Sequence, residues 1–208
     1  QLLGLPQITI AGEPIHRLLA NKARALLFYL AVSGQIHTRE GLSAHLWPET
    51  TDEQARRNLR EMLFASRKWL APHLVVTRHT IAFNQASAYQ LDVELFRNAL
   101  RRVDATNDLQ SVVQTIELYR GEFLHGFTVR DAPFFEEWIT TQRNQLGEMH
   151  VQALEYLANQ YLLNGDYSAG LQMTQRMLTL EPWRESTHRQ QMLLLARSGQ
   201  RSAALAQY

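Results

Sequence analysis

The chain contains no cysteine. That excludes a disulfide framework and a thiolate-bound metal. It fits a reducing compartment, so a cytoplasmic location is expected. No run of 18 apolar residues occurs among the 208, so no transmembrane helix and no membrane partner are expected. The first residues carry no basic segment followed by an apolar core and a cleavage site, so no secretory signal is expected. Lysine is nearly missing: Lys22 and Lys68 stand against 19 arginines. Arginine presents a planar fork suited to phosphates and guanine edges, although a GC-rich genome leaves the same bias.

Catalytic signatures are missing as well. Gly121 and Gly126 have the spacing of a phosphate-binding loop, but Phe127 follows where a lysine is needed. No G-x-S-x-G elbow occurs. His73 and His79 flank an expected strand with no acid nearby, so a loop or wing role outweighs a metal site. Glu136 and Glu137 point about 100° apart on a helix, which suits first-turn acids opposing the helix dipole better than a paired acid and base. No enzyme activity, catalytic residue, cofactor or metal is expected.

What remains is a well-built globular chain. Its 45% hydrophobic and 20% charged residues suit packed cores rather than disorder. The net charge of +1 hides an asymmetry: residues 1–91 carry +4 and residues 92–208 carry −3. Two domains with different partners are expected, 1–92 and 93–208. Gln1 and Tyr208 read as cut edges, so the chain is expected to be a fragment whose second domain is truncated.

The first domain reads as strands, three helices and a hairpin. Gln7–Ile10 alternates, with a turn at Ala11–Pro14. Lys22–Val32 is an apolar helix ended by Gly34. Thr38 caps a second helix, Arg39–Leu46, closed by Trp47-Pro48. Thr51 or Asp52 caps a third, running to Leu70. Leu74–Thr77 and Thr80–Phe83 are β-rich runs joined by Arg78-His79. Beyond Asp92 every periodic stretch is helical, near 93–104, 107–119, 132–163, 167–180, 184–197 and from 200 onward. Asp131 is the expected cap of the long helix, with Pro133 in its first turn. Gly165 and Gly199, Ala169 and Ala203, and Leu171 and Leu205 are each 34 residues apart, the tetratricopeptide period. Leu157, Ala158, Tyr161, Gly170 and Pro182 fall on its signature positions.

The third helix carries the strongest functional signal. On a wheel of 100° per residue, Ala55, Leu59, Met62, Leu63, Ser66, Trp69 and Leu70 share one face. Arg56, Arg57, Arg60, Arg67 and Lys68 share the opposite arc, from about 100° to 220°. Glu61 is the only acid between residues 54 and 70. Solvated helices usually alternate signs to gain i,i+4 pairs. One sign on one face invites a polyanion, although an arginine-rich solvated exterior has the same pattern. Arg78 and His79, at the tip of the following hairpin, can reach a phosphate or a minor groove. Phe64 stands amid the basic arc, where it meets a thymine methyl or a sugar, or else packs against the wing or a neighbour.

A family resemblance rests on these segments. Lys22-Ala23-Arg24-Ala25-Leu26-Leu27, Thr38-Arg39-Glu40-Gly41-Leu42, Leu46-Trp47-Pro48 and Ala55-Arg56-Arg57-Asn58-Leu59-Arg60 resemble the OmpR-type winged helix of the antibiotic-regulatory-protein (SARP) activators. Asp92-Val93 with Phe96, Leu118-Tyr119-Arg120-Gly121-Glu122-Phe123-Leu124, Phe135-Glu136-Glu137-Trp138 and Leu154 through Leu205 resemble the bacterial transcriptional activation domain (BTAD). The resemblance implies a mainly α fold with small β: an N-terminal winged helix-turn-helix, then an all-α TPR-like helical repeat domain. It implies a sequence-specific DNA-binding activator of transcription. The third helix would enter the major groove and the wing the minor groove, on direct repeats upstream of promoters. The implied partners are promoter double-stranded DNA, RNA polymerase and a second copy of the chain on DNA. The expected DNA-binding residues are Arg56, Arg57, Arg60, Phe64, Arg67, Lys68, Arg78 and His79. Arg56, Arg57 and Arg60 would face bases, and Arg67 and Lys68 phosphates. Phe64 and Ala65 depart from the family, which usually has a small polar residue and a further basic one there. Two other readings are a protein-interaction scaffold and a regulatory fragment of a larger signalling ATPase.

Overall fold

The computed structural model describes residues 1–106 and 109–207, and they pack as two compact units. One comprises residues 1–95 and 120–144, the other 96–119 and 145–208. The first unit opens with a two-stranded ribbon, β1 (Thr9–Ile10) and β2 (Glu13–Pro14). There follow α1 (Asn21–Ser33), β3 (His37–Thr38), α2 (Arg39–Leu46), α3 (Asp52–Leu70), a 3-10 turn (Ala71–His73), β4 (Leu74–Val76) and β5 (Thr80–Phe83). The last sheet has the order β3-β5-β4, antiparallel throughout, with His37 opposite Ile81 and Val75 opposite Ala82. Three helices closed by a β-hairpin make a winged helix-turn-helix.

Local chemistry fixes the helix ends. Thr38 Oγ1 accepts the Gly41 N–H at 3.1 Å and so starts α2. Thr51 Oγ1 accepts the Gln54 N–H at 3.3 Å and starts α3, leaving Asp52 as the first helical residue. Gly34, at φ 62°, ends α1 in the left-handed conformation. The core of the three helices holds Leu26, Leu30, Leu42, Leu46, Ala55, Leu59 and Ile81, all buried.

Residues 120–144 complete this unit. Leu3 bridges Phe123, and the Leu124 N–H donates to the Leu2 carbonyl at 2.8 Å. Gly4 and Gly121 lie back to back: a Cβ on Gly121 would sit 3.4 Å from the Gly4 Cα. The Asp92 carboxylate takes the N–H groups of Leu2 and Leu3 at 2.8 Å, and Arg143 donates to the carbonyls of Phe123 and Leu124. Rings do the rest. Phe127 meets Phe28 edge-on, and Phe134, Phe135 and Trp138 meet Tyr29.

The remaining helices are α4 (Asp92–Thr106), α5 (Leu109–Ile116), α6 (Pro133–Asn164), α7 (Tyr167–Leu180), α8 (Glu185–Arg197) and α9 (Arg201–Ala206). The expected start of α5 at 107 lies outside the described residues, and the helix ends at Ile116 rather than 119. Asp131 is not the cap of α6. The helix begins at Pro133, so the preceding position is Ala132, whose carbonyl takes the Phe135 and Glu136 N–H groups. Asp131 instead turns the chain at φ 55°, and Glu136 Oε1 accepts the Val129 N–H.

The second unit has its own core of Val112, Ile116, Leu154, Leu157, Ala158 and Met177. The 34-residue repeat is physical: Gly165 and Gly199, at φ 78° and 83°, turn the chain into α7 and α9. A Cβ on Gly170 would stand 2.7 Å from the Leu194 Cδ2 and 3.6 Å from the Ala158 carbonyl. The missing side chain at 170 therefore lets α7 come close to α6 and α8 at that point.

His150 lies in this core at 3% exposure, stacked on Tyr119 at 4.2 Å, with its Nδ1 unpartnered. Burial, reinforced by the Arg176 charge and opposed by Glu117, lowers its pKa to about 4. A histidine with a depressed folded pKa leaves stability intact above its ordinary value near 6.5 and loses it as pH falls toward 4. Between pH 7 and pH 4.5 this one group is expected to remove about 2–3 kcal/mol. Denaturant unfolding of the wild type and of His150→Phe at both pH values measures it. The variant should lose that much less on acidification; an equal loss would assign the acid sensitivity to other groups.

Candidate nucleic-acid interface

α3 divides as its sequence pattern requires. Ala55, Leu59, Ser66 and Leu70 are buried, and Met62, Leu63 and Trp69 are half-buried. Arg56, Arg57, Arg60, Phe64, Arg67 and Lys68 are all exposed on the opposite side. Three details refine this face. Arg57 Nε bonds Glu61 Oε1 at 2.8 Å, and this contact and charge raise its pKa. Of the five cations it is the one that pairs with a carboxylate. Arg56 Nε donates to the Asp52 carbonyl at 3.1 Å. Lys68 Nζ lies over the Trp69 ring at 4.6 Å, near the C-terminal end of the helix.

The wing lies beside it, tied by hydrogen bonds within its turn and to the start of α2. The turn between β4 and β5 spans Thr77, Arg78, His79 and Thr80. The Thr77 N–H donates to the Thr80 carbonyl at 2.9 Å, and Thr77 Oγ1 accepts the N–H groups of His79 and Thr80. The tip is also tied to the start of α2: the Arg39 N–H donates to the His79 carbonyl at 2.8 Å and its guanidinium reaches the Thr77 carbonyl at 3.4 Å. Thr38 pairs with Thr80 across the sheet. These bonds hold Arg78 and His79 beside the start of α2.

Between helix and wing lie two open hollows. One, of about 500 Å3, is lined by Thr38, Arg39, Glu40, Arg56, Leu59, Arg60, Arg78 and His79. The other, of about 370 Å3, is lined by Arg39, Arg60, Leu63, Phe64, Arg67, Leu70, Ala71, Leu74 and Val76. Arg39 and Arg60 belong to both, so the hollows form one trough with a cationic and an apolar end. The trough thus gathers Arg56, Arg60, Phe64, Arg67, Arg78 and His79. Arg57 and Lys68 line neither hollow. Arg39 was not among the residues expected from sequence; its only signal there is a cation directly after the Thr38 cap.

The trough can bind a polyanion. Five arginines line it against one acid, Glu40. Nothing in it resembles a catalytic centre, and no group of three His, Asp or Glu able to hold a metal occurs among the described residues. No helix among those residues is long and apolar enough to cross a membrane.

Residues 86–208 match the family model described as bacterial transcriptional activator domain. Among solved structures, Mycobacterium tuberculosis EmbR in complex with a low-affinity phosphopeptide is similar, with a TM-score of 0.77 and 23% identity. The match covers 100% of this chain and 56% of that one, so the chain spans about half of its length. At that identity the likeness shows the fold, a winged helix followed by a repeat-like helical domain. No curated protein matches the chain.

Proposed function

The chain belongs to the bacterial transcriptional activator domain family, and from that premise we propose that it activates transcription by binding specific promoter DNA. α3 lies in the major groove, and the β4–β5 wing touches the adjacent minor groove or its phosphates. Arg56 and Arg60 read base edges; Arg67, Lys68, Arg78 and His79 hold the backbone, with Arg57 adding charge once DNA competes with Glu61. Functionally the chain divides at residue 92: 1–92 binds DNA, and the acidic helical part binds a protein partner, RNA polymerase. Two copies on direct repeats form the working complex, in the cytoplasm.

The observation that carries this reading is the trough, where cations of the helix, the wing tip and the α2 start converge with one acid among them. A scaffold that binds only protein has no use for that arrangement. Binding to duplex DNA across a salt series tests it. Neutralising about four phosphates gives a slope of log K on log salt near −4, and a flat response contradicts the proposal.

A further inference from the structure

Phe64 is 78% exposed, although it is a large aromatic on a helix whose other face is packed. It lines the apolar end of the trough with Leu63 and with Val76 of the edge strand β4, itself 47% exposed. Arg60 and Arg67 flank it, and no acid lines this end. On the helix wheel Phe64 stands near the middle of the basic arc, at about 180°.

We infer that this hollow is a receptor for the C5-methyl group of a thymine, and that Phe64 sets base preference at that position. The inference rests on the DNA-binding reading above and adds to it what the apolar end reads. Phosphates and sugars line the rims of a major groove, and base edges its floor. A side chain near the middle of the arc points to the floor, as Phe64 and Arg60 do, while Arg67 reaches outward to the rim. On that floor the four bases present donors, acceptors and one apolar substituent, the thymine methyl. A phenyl ring can neither donate nor accept a conventional hydrogen bond, so the methyl is the group that complements it. The absence of a carboxylate and the presence of two flanking arginines favour nucleic acid over an acidic or apolar peptide as occupant, because nucleic acid offers a base edge to Arg60 and a phosphate to Arg67 on either side of an apolar methyl.

Replacing thymine by deoxyuridine removes the methyl alone and keeps base pairing and hydrogen-bonding edges. Burying one methyl against a ring is expected to strengthen binding about three- to fivefold. The full chain is used to select a preferred duplex from a random pool. Each thymine of that duplex is then replaced singly by deoxyuridine, and affinity is measured for wild type, Phe64→Ala and Phe64→Leu. Wild type should lose about three- to fivefold at one position in each half-site. Phe64→Ala should be indifferent there, and Phe64→Leu should keep part of the response. Phe64 is exposed, so neither variant should lose its fold, which circular dichroism checks. A selected duplex insensitive to every replacement overturns the inference and leaves the DNA-binding reading standing. The same loss in Phe64→Ala as in wild type also overturns it, since another residue then reads the methyl. If Phe64→Ala binds and discriminates as wild type but fails to activate purified polymerase, the hollow faces protein and the inference is wrong. If no duplex is selected and binding ignores salt, the DNA-binding reading itself fails.

Discussion

Arg60→Glu is expected to weaken binding to a selected duplex by about 3–5 kcal/mol: about 1–3 for the lost bidentate base contact, and the rest from a carboxylate beside phosphates. Arg60 is singled out because, with Arg39, it lines both halves of the trough, and it stands about two turns into α3. Residues in the N-terminal half of a recognition helix enter the groove deepest. Arg60→Ala should therefore cost about 1–3 kcal/mol on the selected duplex, less on a scrambled one, and relax preference at one base pair. Lys68→Ala should behave differently. Its ammonium lies over Trp69 near the helix end, where the chain passes the backbone. It should weaken both duplexes alike and reduce the salt slope by about one. A merely solvated helix exterior predicts no effect from either alanine variant. Equal losses on both duplexes from Arg60→Ala would make Arg60 a phosphate contact.

Cutting the chain at residue 92 is expected to leave a helical but ill-packed fragment. Residues 93–208 retain every member of the second core, including Val112, Leu154 and Met177. They keep residues 120–144 but lose what those residues pack on: Leu3 beside Phe123, Leu2 bonded to Leu124, Phe28 beside Phe127, and Tyr29 beside Phe134, Phe135 and Trp138. Phe123 and Phe135 are fully buried in the whole chain. Each loses burial worth about 1.5–3 kcal/mol. The fragment should show helical far-ultraviolet dichroism, bind a hydrophobic dye and self-associate, whereas the full chain does neither of the last two. A monomeric fragment without dye binding, and with the aromatic dichroism of the full chain, would mean that 120–144 does not need the winged helix.

The bounds of α2 and α3 follow from Thr38 and Thr51, because a cap acts three residues away and is visible in any short window. The buried and exposed faces of α3 follow from its 3.6-residue period, and the exposed state of Phe64 follows from the same wheel. The glycine pair 165 and 199 is legible because a repeat copies its turns. By contrast, the pairing of Leu3 with Phe123 joins positions 120 apart, and a two-residue strand such as β3 has too few residues to show an alternation. The charge change near residue 92 is real, yet charge records what a surface meets, not which core a segment joins; residues 120–144 pack with the first unit. The role of Arg39 is not legible in the sequence, because it comes from the sheet that brings the wing tip to the α2 start. Asp131 looked like a cap because it is an acid just before a helix beginning with proline, but the turn needed a left-handed residue there.

In the proposed function the α3 face and wing bind DNA through this particular set of cations. The most direct measurement compares salt slopes of duplex binding for wild type and for a variant with Arg56, Arg60, Arg67 and Lys68 all replaced by glutamine. All four are exposed, so the fold should survive. Each phosphate contact contributes about −0.9 to the slope. A wild-type slope near −4 is expected to become shallower by about 2 in the variant, because Arg67 and Lys68 are the two of the four that hold phosphates. Equal slopes in the two proteins would place DNA binding elsewhere on the chain and contradict the account.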